Sequence, residues 1–465
     1  MYRKDIHIHF VGIGGIGMSG IAEIVKHRGY RVSGCDLSVE GPILNRLRKL
    51  KCLLHKGHSP DHVQDADVVV YSSAVDKNSS EVLAAVDRGI PVIPRALMLA
   101  ELMRTKYSVA VAGSHGKTTT TSILSHLFID AGEDPTVVIG GILKNISKNA
   151  QMGKGRLFIA EADESDRSLL YLNPTAALVT NIDAEHLDTY DGLEDVKATF
   201  RNFVERLPFY GSAFVGIDDA NVKSIFPVPH VRTVYYGLAK KANVRGEIVE
   251  LGAGFSRFNV FLKNCFGVGR KEQALGEIKI NMAGEHNVKN SLGAISLGLE
   301  FGLAFSQMKK SFKSFKGIER RFEYKGLCKG AEVFDDYAHH PTELKNALAV
   351  ARKRAKGKLH VVFQPHRFSR TAKLWDNFVT VLSQSGIDSL CMLDIYPASE
   401  KPQPGITSEK LCSVVSQKKK AIMSAQNFSV ERAEEHILSV AKKGDLILTL
   451  GAGASVSWLS KKVAD

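Results

Sequence analysis

Cysteine, proline and long apolar runs are all scarce in this sequence. The six cysteines of the 465-residue chain (Cys35, Cys52, Cys265, Cys328, Cys391 and Cys412) are scattered with no C-x-x-C pair, which argues against a zinc site and against a disulfide framework. They read as reduced, structural thiols. No apolar run approaches the roughly 18 to 20 residues that cross a bilayer. The opening MYRKDIHIHFVGIGG also lacks a signal peptide's apolar stretch and cleavage site. Both absences point away from membrane insertion and toward the cytoplasm. With 14 prolines, 40 glycines and 44% apolar residues, and no tandem repeat or low-complexity segment, collagen-like and largely disordered chains are excluded. Acidic charge is the minority sign, 49 residues against 62 basic ones, for a formal charge of +13. A basic balance suits polyanions: nucleic acid, anionic lipid or phosphorylated small molecules. There is no long basic tail, however, and aromatics do not interleave with the basic stretches 309–329 and 352–358 as a single-strand-binding platform requires. Nucleic acid is therefore not expected as a partner, and much of the charge reads as solvated surface.

At roughly 150 residues per domain the length predicts about three domains. Three places share one local grammar, a β-branched run, a glycine turn and a helical pattern: Ile6–Val11 into Gly12–Gly17, Ser108–Ala112 into Gly113–Thr119, and Asp445–Leu450 into Gly451–Ser455. Each is the opening of a βαβ unit, whose turn is where parallel sheets bind ligands. The fold class predicted is α/β in three domains, with boundaries after residues 105 and 317: 1–105, 106–317 and 318–465. Further strands are expected at 67–71, 90–93, 157–160, 177–180, 332–334, 359–363 and 389–393. Helices are expected at 96–104 and 287–301, and hairpin-like alternation at 255–262 and 278–280. The basic stretch 309–321 reads as a connection.

Gly12, Gly14 and Gly17 satisfy G-x-G-x-x-G straight after a strand, and Asp36 closes the next strand-like run. Glycines let the backbone approach a pyrophosphate at a helix amino end, and the carboxylate takes a ribose hydroxyl. The literal ligand is NAD, but any ribose-bearing diphosphate fits, a nucleotide-sugar included. Gly113-Ser114-His115-Gly116-Lys117-Thr118-Thr119 is a shortened phosphate loop, because the first glycine of the full G-x-x-x-x-G-K-[ST] pattern is Val111 here. Its core keeps the chemistry: backbone amides for phosphate, Lys117 for the β/γ oxygens and the Thr118 hydroxyl for Mg²⁺. Glu161, Asp163, Glu164 and Asp166 follow the strand 157–160 as hard oxygen donors, and His186 follows 177–180. In the last third, Asp335–Glu343 and Gln364–Arg370 lie at strand ends. His339 and His340, adjacent in sequence, point apart and do not make a joint metal site. Arg367 and Arg370 read as anion receptors, since a guanidinium fork matches a carboxylate or a phosphate.

Taken in order, Gly12–Met18, Gly113–Thr119, Glu161–Asp166, Asn181…His186…Tyr190, His286-Asn287…Asn290, Arg320-Arg321-Phe322-Glu323, Asp335–Glu343 and Phe363–Phe368 resemble the Mur ligases of peptidoglycan synthesis. The likeness runs from about Ile8 to Ser455. It implies a Rossmann-like amino-terminal domain for a UDP-sugar, a central P-loop ATPase domain and a Rossmann-like carboxyl-terminal domain that brings an amino acid. The activity implied is ATP-dependent amide formation between L-alanine and the carboxylate of UDP-N-acetylmuramate through an acyl phosphate, with ATP and two Mg²⁺. By resemblance Lys117, Glu161 and His186 are catalytic, and Thr118, Glu161 and His186 hold metal. ATP falls to Gly113, Ser114, His115, Gly116, Lys117, Thr118, Thr119, His286, Asn287, Asn290, Arg321 and Asp336. The UDP-sugar falls to Gly14, Gly15, Gly17, Met18, Asp36, Ser72 and Ser73, and the amino acid to Tyr337, His339, His366, Arg367 and Arg370. One departure stands out. Several relatives carry a carbamylated lysine about fifteen residues after the His186 equivalent, where this chain has Phe200-Arg201, so carbamylation is not expected. Two other readings are a ligase that reattaches a recycled peptide to the same sugar and an NAD-linked oxidoreductase. A basic nucleic-acid-binding ATPase is a third.

Overall fold

A computed structural model describes residues 5–464 apart from 73, 74, 77, 187, 188, 399 and 419–424. It contains two compact units. The first comprises Met1–Ile248, Phe258–Lys279 and Asn287–Lys316, and the second Val249–Arg257, Ile280–His286 and Gly317–Asp465.

Within the first unit, strands β1 (His7–Val11), β2 (Arg31–Asp36), β3 (Leu53–Lys56), β4 (Val68–Tyr71) and β5 (Val92–Pro94) form a sheet in the order β3-β2-β1-β4-β5. All its pairings are parallel. Its helices are α1 (Ile16–His27), α2 (Pro42–Lys49), α3 (Ser80–Asp87) and α4 (Arg95–Met103). Strand β1 is buried along its whole length, as a central parallel strand covered on both faces must be.

A second sheet is built on β6 (Tyr107–Ala112), β7 (Thr136–Leu143), β8 (Lys148–Gln151), β9 (Leu157–Glu161), β10 (Ala176–Val179), β11 (Ser212–Gly216), β12 (Arg232–Gly237), β13 (Val244–Leu251), β14 (Ser256–Leu262) and β15 (Gln273–Ile280), in the order β15-β14-β13-β12-β11-β10-β6-β9-β7-β8. Its helices are α5 (Lys117–Asp130), α6 (Leu193–Val204), α7 (Ala220–Ile225), α8 (Glu285–Glu300) and α9 (Phe305–Ser314). Parallel register sets Val111 opposite Glu161 and Ala112 opposite Val179, so β6, β9 and β10 end together. Helix α9 overturns the expectation that 309–321 is only a connection. Met308, Ser311 and Phe312 are buried at helical spacing while Lys309, Lys310 and Lys313 stay exposed, so the run of lysines is the wet face of an amphipathic helix.

The second unit carries a six-stranded sheet, β16 (Glu323–Cys328), β17 (Ala331–Asp336), β18 (Leu359–Phe363), β19 (Ser389–Leu393), β20 (Ala425–Phe428) and β21 (Leu446–Leu450), ordered β16-β17-β21-β18-β19-β20. Helices α10 (Pro341–Arg354), α11 (Phe368–Lys373), α12 (Trp375–Gln384), α13 (Ser408–Lys418), α14 (Val430–Val440) and α15 (Ala454–Val463) accompany it. Only β16 runs antiparallel, against β17. The six cysteines are all free and buried.

Candidate active site

The chain turns out of β6 into α5 through four residues. Gly116 has φ +81°, a left-handed conformation that costs a side-chain-bearing residue strain, and a Cβ added there would sit 2.6 Å from Asn290 Oδ1. Gly113, at φ +135°, is hemmed in by Thr180. The loop is braced from the segment after β10. Asn181 O accepts from the Ser114 amide (3.0 Å), Asn181 Oδ1 accepts from the His115 amide (2.9 Å), and Thr180 Oγ1 donates to His115 O (2.7 Å). The Asp183 amide donates to Ser114 Oγ (2.9 Å), and His115 Nε2 lies 3.0 Å from Asp183 Oδ2. This holds the amino end of α5, with its partial positive charge, open toward the carboxyl ends of three parallel strands.

Lys117 Nζ donates to Gly113 O (2.7 Å), Ser114 O (3.1 Å) and Glu164 Oε1 (2.6 Å). Burial alone would lower its pKa, but Glu164, Asp163 and Glu161 raise it and keep the ammonium charged. Burial pushes Glu164 up to about 8, with Lys117 opposing the rise. Thr118 Oγ1 donates to Glu161 Oε1 (3.0 Å), whose other oxygen accepts from the Gly140 amide (2.9 Å). Thr119 is buried.

The four acids from the end of β9 onward hydrogen-bond to different partners. Glu161 meets Thr118 and Glu164 meets Lys117, whereas Asp163 accepts from the Ser165 amide and lies 3.4 Å from Arg95 Nη2, and Asp166 accepts from the Ser168 amide. A second group forms instead. His186, at φ +52°, holds Nε2 3.7 Å from Glu164 Oε1 and 3.7 Å from Glu185 Oε2. Ligand atoms of Glu164, Glu185 and His186 lie within 4.8 Å of one another, and Glu164 Oε2 is buried without a hydrogen-bond partner among the described residues. An orphaned carboxylate oxygen beside a second carboxylate and an imidazole suits a divalent cation. Sequence reasoning named Glu164 only as one of four hard oxygen donors and missed Glu185, although Glu185 lies inside the Asn181–Tyr190 motif. About fifteen residues beyond His186, Phe200 is fully buried in α6, and Lys197 pairs with Glu194.

On α8, the buried Asn287 and Asn290 lie side by side, Asn290 Nδ2 donating to Asn287 Oδ1 at 3.5 Å. Asn290 thus meets the phosphate loop at Gly116. His286 belongs to the second unit, where it packs against Gly284.

At the first glycine turn, the Gly12 and Ile13 amides donate to Cys35 O (2.9 and 3.0 Å) and the Gly14 amide to Asp36 Oδ2 (2.9 Å). Gly15 precedes α1 as its amino-terminal cap, Met18 is buried in the core, and a Cβ on Gly17 would lie 2.8 Å from Arg95 Nη1. Arg95, which the sequence did not single out, is thereby set at the amino end of α1 while paired to Asp163. Ser72 O accepts from the Val75 amide (3.0 Å), and Ser73 lies outside the described residues.

In the second unit Asp336 is buried and accepts from the Phe322 and Ala338 amides, both at 2.7 Å. Burial pushes it up to about 6, with Arg321 opposing. Arg321 lies over the Tyr337 ring (5.5 Å) and 3.7 Å from Glu343. Tyr337, His339 and His366 form a chain of rings spaced 5.4 and 5.7 Å, and Arg370 Nη1 is 3.4 Å from His366 Nδ1. Burial lowers His339 to about 3 and His366 to about 4, with Arg370 adding to both. Arg367, at φ +71°, fixes its backbone on Tyr396 O. Neutral imidazoles beside two guanidiniums leave a positively charged cluster, whose forks can pair with a carboxylate. His340 diverges from His339 to cap α10, its Nδ1 accepting from the Thr342 amide. The third glycine turn serves the fold: Arg320 donates to the Gly451, Ala452 and Gly453 carbonyls and pairs with buried Asp335.

Three family models match the chain: "Mur ligase family, catalytic domain" over residues 7–107, "Mur ligase middle domain" over 111–298 and "Mur ligase, glutamate ligase domain" over 320–453. The chain is 48% identical over 455 residues to a UDP-N-acetylmuramate–L-alanine ligase of Geotalea daltonii, covering 97% of this chain and 96% of that one. Among solved structures it is similar to a UDP-N-acetylmuramate-alanine ligase of Thermotoga maritima (TM-score 0.79, 26% identity, 98% of each chain). A murein peptide ligase of Psychrobacter arcticus shares the fold (TM-score 0.73, 23% identity, 98% of each chain).

Proposed function

The chain belongs to the Mur ligase family, and from that premise we propose that it joins L-alanine to UDP-N-acetylmuramate at the expense of ATP, yielding UDP-N-acetylmuramoyl-L-alanine, ADP and phosphate in a cytoplasmic step of peptidoglycan synthesis. The observation that carries the reading is the phosphate loop: a half-buried, charged Lys117 and the Thr118–Glu161 pair at the carboxyl edge of a parallel sheet, in a chain 48% identical to a ligase of that name. No helix among the described residues is long and apolar enough to cross a membrane, in keeping with soluble substrates.

Carboxylate and amine do not condense in neutral water, so the sugar's carboxylate first attacks the γ-phosphate, releasing ADP. The alanine amine then attacks the acyl phosphate and releases phosphate. In the free protein Lys117 is held by Glu164; the incoming γ-phosphate takes Glu164's place as its counter-charge and is neutralised as the phosphoryl group moves. The donor set suits Mg²⁺: Thr118 and Glu161 would hold one ion, and His186 with Glu164 and Glu185 a second, supplying charge neutralisation at the phosphates. Asn290, Asn287 and His286 take the adenine side, and Arg321 and Asp336 the phosphates and ribose. Gly14, Gly15, Gly17, Met18, Asp36, Ser72 and Ser73 serve the UDP-sugar, with Arg95 added beside them. Tyr337, His339, His366, Arg367 and Arg370 receive alanine, a guanidinium pairing its carboxylate. The residues 1–105, 106–317 and 318–465 then divide the work as UDP-sugar, ATP and amino-acid domains.

The peptide-reattaching and NAD-linked readings are not favoured: the 48% relative is an alanine ligase, whereas the murein peptide ligase supports the fold alone, and NAD leaves Lys117 and Glu161 without a task. ADP release measured with L-alanine, glycine, L-serine and a tripeptide as acceptors tests this. Release that requires both UDP-N-acetylmuramate and L-alanine is expected; a preference for the tripeptide, or ADP release independent of the sugar, would overturn it.

A further inference from the structure

One face of the first sheet carries a histidine-rich cluster for which the ligase reaction has no use. Parallel register places His9 opposite Ser33 and Cys35 opposite His55, and α3 with the 60–63 turn covers that face. His9, Cys35 and Glu81 are all completely buried, and their ligand atoms lie within 4.8 Å of one another. Hydrogen bonds fix the state of His9. The Asp65 carbonyl can only accept, so His7 Nδ1 donates to it (2.8 Å); neutral His7 Nε2 must then accept from the Ser33 hydroxyl (2.7 Å). With its one proton spent, Ser33 Oγ accepts from His9 Nδ1 (2.8 Å). This relay leaves His9 Nε2 as a bare lone pair, and it is buried with no hydrogen-bond partner among the described residues. A histidine whose second nitrogen is anchored this way is the usual form of a metal ligand.

The remaining groups complete a soft site. His58 Nδ1 lies 3.5 Å from Cys35 Sγ and 3.0 Å from Glu81 Oε2, and its side chain is 31% exposed, giving the cluster a way to solvent. We propose that His9 Nε2, Cys35 Sγ and Glu81, with His58 as fourth donor, form a structural site for a zinc-class divalent cation. Binding converts the Cys35 thiol to a thiolate, its proton leaving to solvent. The dication is then balanced by one thiolate and one carboxylate, so no net charge is buried. The site lies directly beneath the first glycine turn, because the Cys35 carbonyl receives the Gly12 and Ile13 amides. It stands independently of the ligase reading.

The test uses the full chain, stripped with a chelator, saturated with Mg²⁺ to fill hard oxygen sites, and titrated with Co²⁺. Expected is one tightly bound Co²⁺ with a thiolate-to-cobalt charge-transfer band, displaced by Zn²⁺. The band should vanish in Cys35→Ser and persist in Cys52→Ser. Ser33→Ala keeps every ligand but breaks the relay, and should weaken Co²⁺ affinity roughly 10–100-fold. Zn²⁺ should raise the melting temperature of the wild-type chain and not that of Cys35→Ser, which also reports whether that variant folds. Absence of the band in the wild-type chain, or its persistence in Cys35→Ser, overturns the proposal and leaves Glu81 as the hydrogen-bonded hub of His58, His62 and the Ser59 amide.

Discussion

Lys117→Ala separates what the phosphate loop does for folding from what it does for chemistry. The substitution removes the ammonium that donates to Glu164 Oε1, a carboxyl whose Oε2 already lacks a hydrogen-bond partner among the described residues. Breaking a buried ion pair by deleting one member costs about 3–5 kcal/mol when the survivor stays charged. Glu164 has an escape, because it can take up a proton. In the wild-type chain its pKa is already raised to about 8 by burial against the opposition of Lys117. Without Lys117 that opposition is gone and the folded-state value rises further. At acid pH both folded proteins carry the protonated acid, so the difference in stability is small and flat. Above pH 8 the folded variant binds more protons than the folded wild type, so its stability falls more steeply with pH and the gap widens. Melting temperatures at pH 7 and pH 9.5 measure this, and Glu164→Gln added to Lys117→Ala should abolish the widening. Turnover, read as ADP release, should fall by at least about 10²–10³-fold in both variants, since a preorganised charge at the moving phosphoryl group is lost, while UDP-sugar binding is unchanged. A pH-independent gap, or turnover within tenfold of wild type, would refute the reasoning.

Gly116→Ala forces a Cβ into a left-handed backbone 2.6 Å from Asn290 Oδ1; strain of about 1–3 kcal/mol should appear as weaker ATP binding by calorimetry with UDP-sugar binding intact. Arg370→Ala should raise the KM for L-alanine at least tenfold and leave the KM for ATP within twofold, on the order expected for losing a charged pairing of about 1.5–3 kcal/mol; an equal rise in both would remove Arg370 from the amino-acid pocket. Arg320→Ala leaves buried Asp335 without its cation and three carbonyls of the third glycine turn without their donor, a loss of about 3–5 kcal/mol visible as a lower melting temperature.

What was legible in the sequence is what chemistry demands of neighbours in the chain. A phosphate loop needs its glycines, lysine and threonine within seven positions, so β6, the turn and the start of α5 could be read directly, as could the strands whose β-branched runs are buried on both faces. Short strands such as β3 and β8 carry too few residues for a pattern, and α9 was hidden because its lysines dominate a stretch whose three buried residues hold the helical period. Residues that work through long-range pairing left no local trace: Arg95 and Asp163 meet only because α4 and the end of β9 converge, 68 positions apart. The cysteines make the point most sharply. The absence of C-x-x-C spacing argued against zinc, and that inference holds for sites built within one loop. It does not reach a site assembled from β1, β2, α3 and the segment after β3, where strand pairing sets His9 and Cys35 on one face and the packing of α3 and the loop brings Glu81 and His58 to them. Spacing rules therefore exclude only locally built sites. In a parallel sheet the test for a soft metal site is whether cysteine and histidine fall on the same face of paired strands with a lone pair left over.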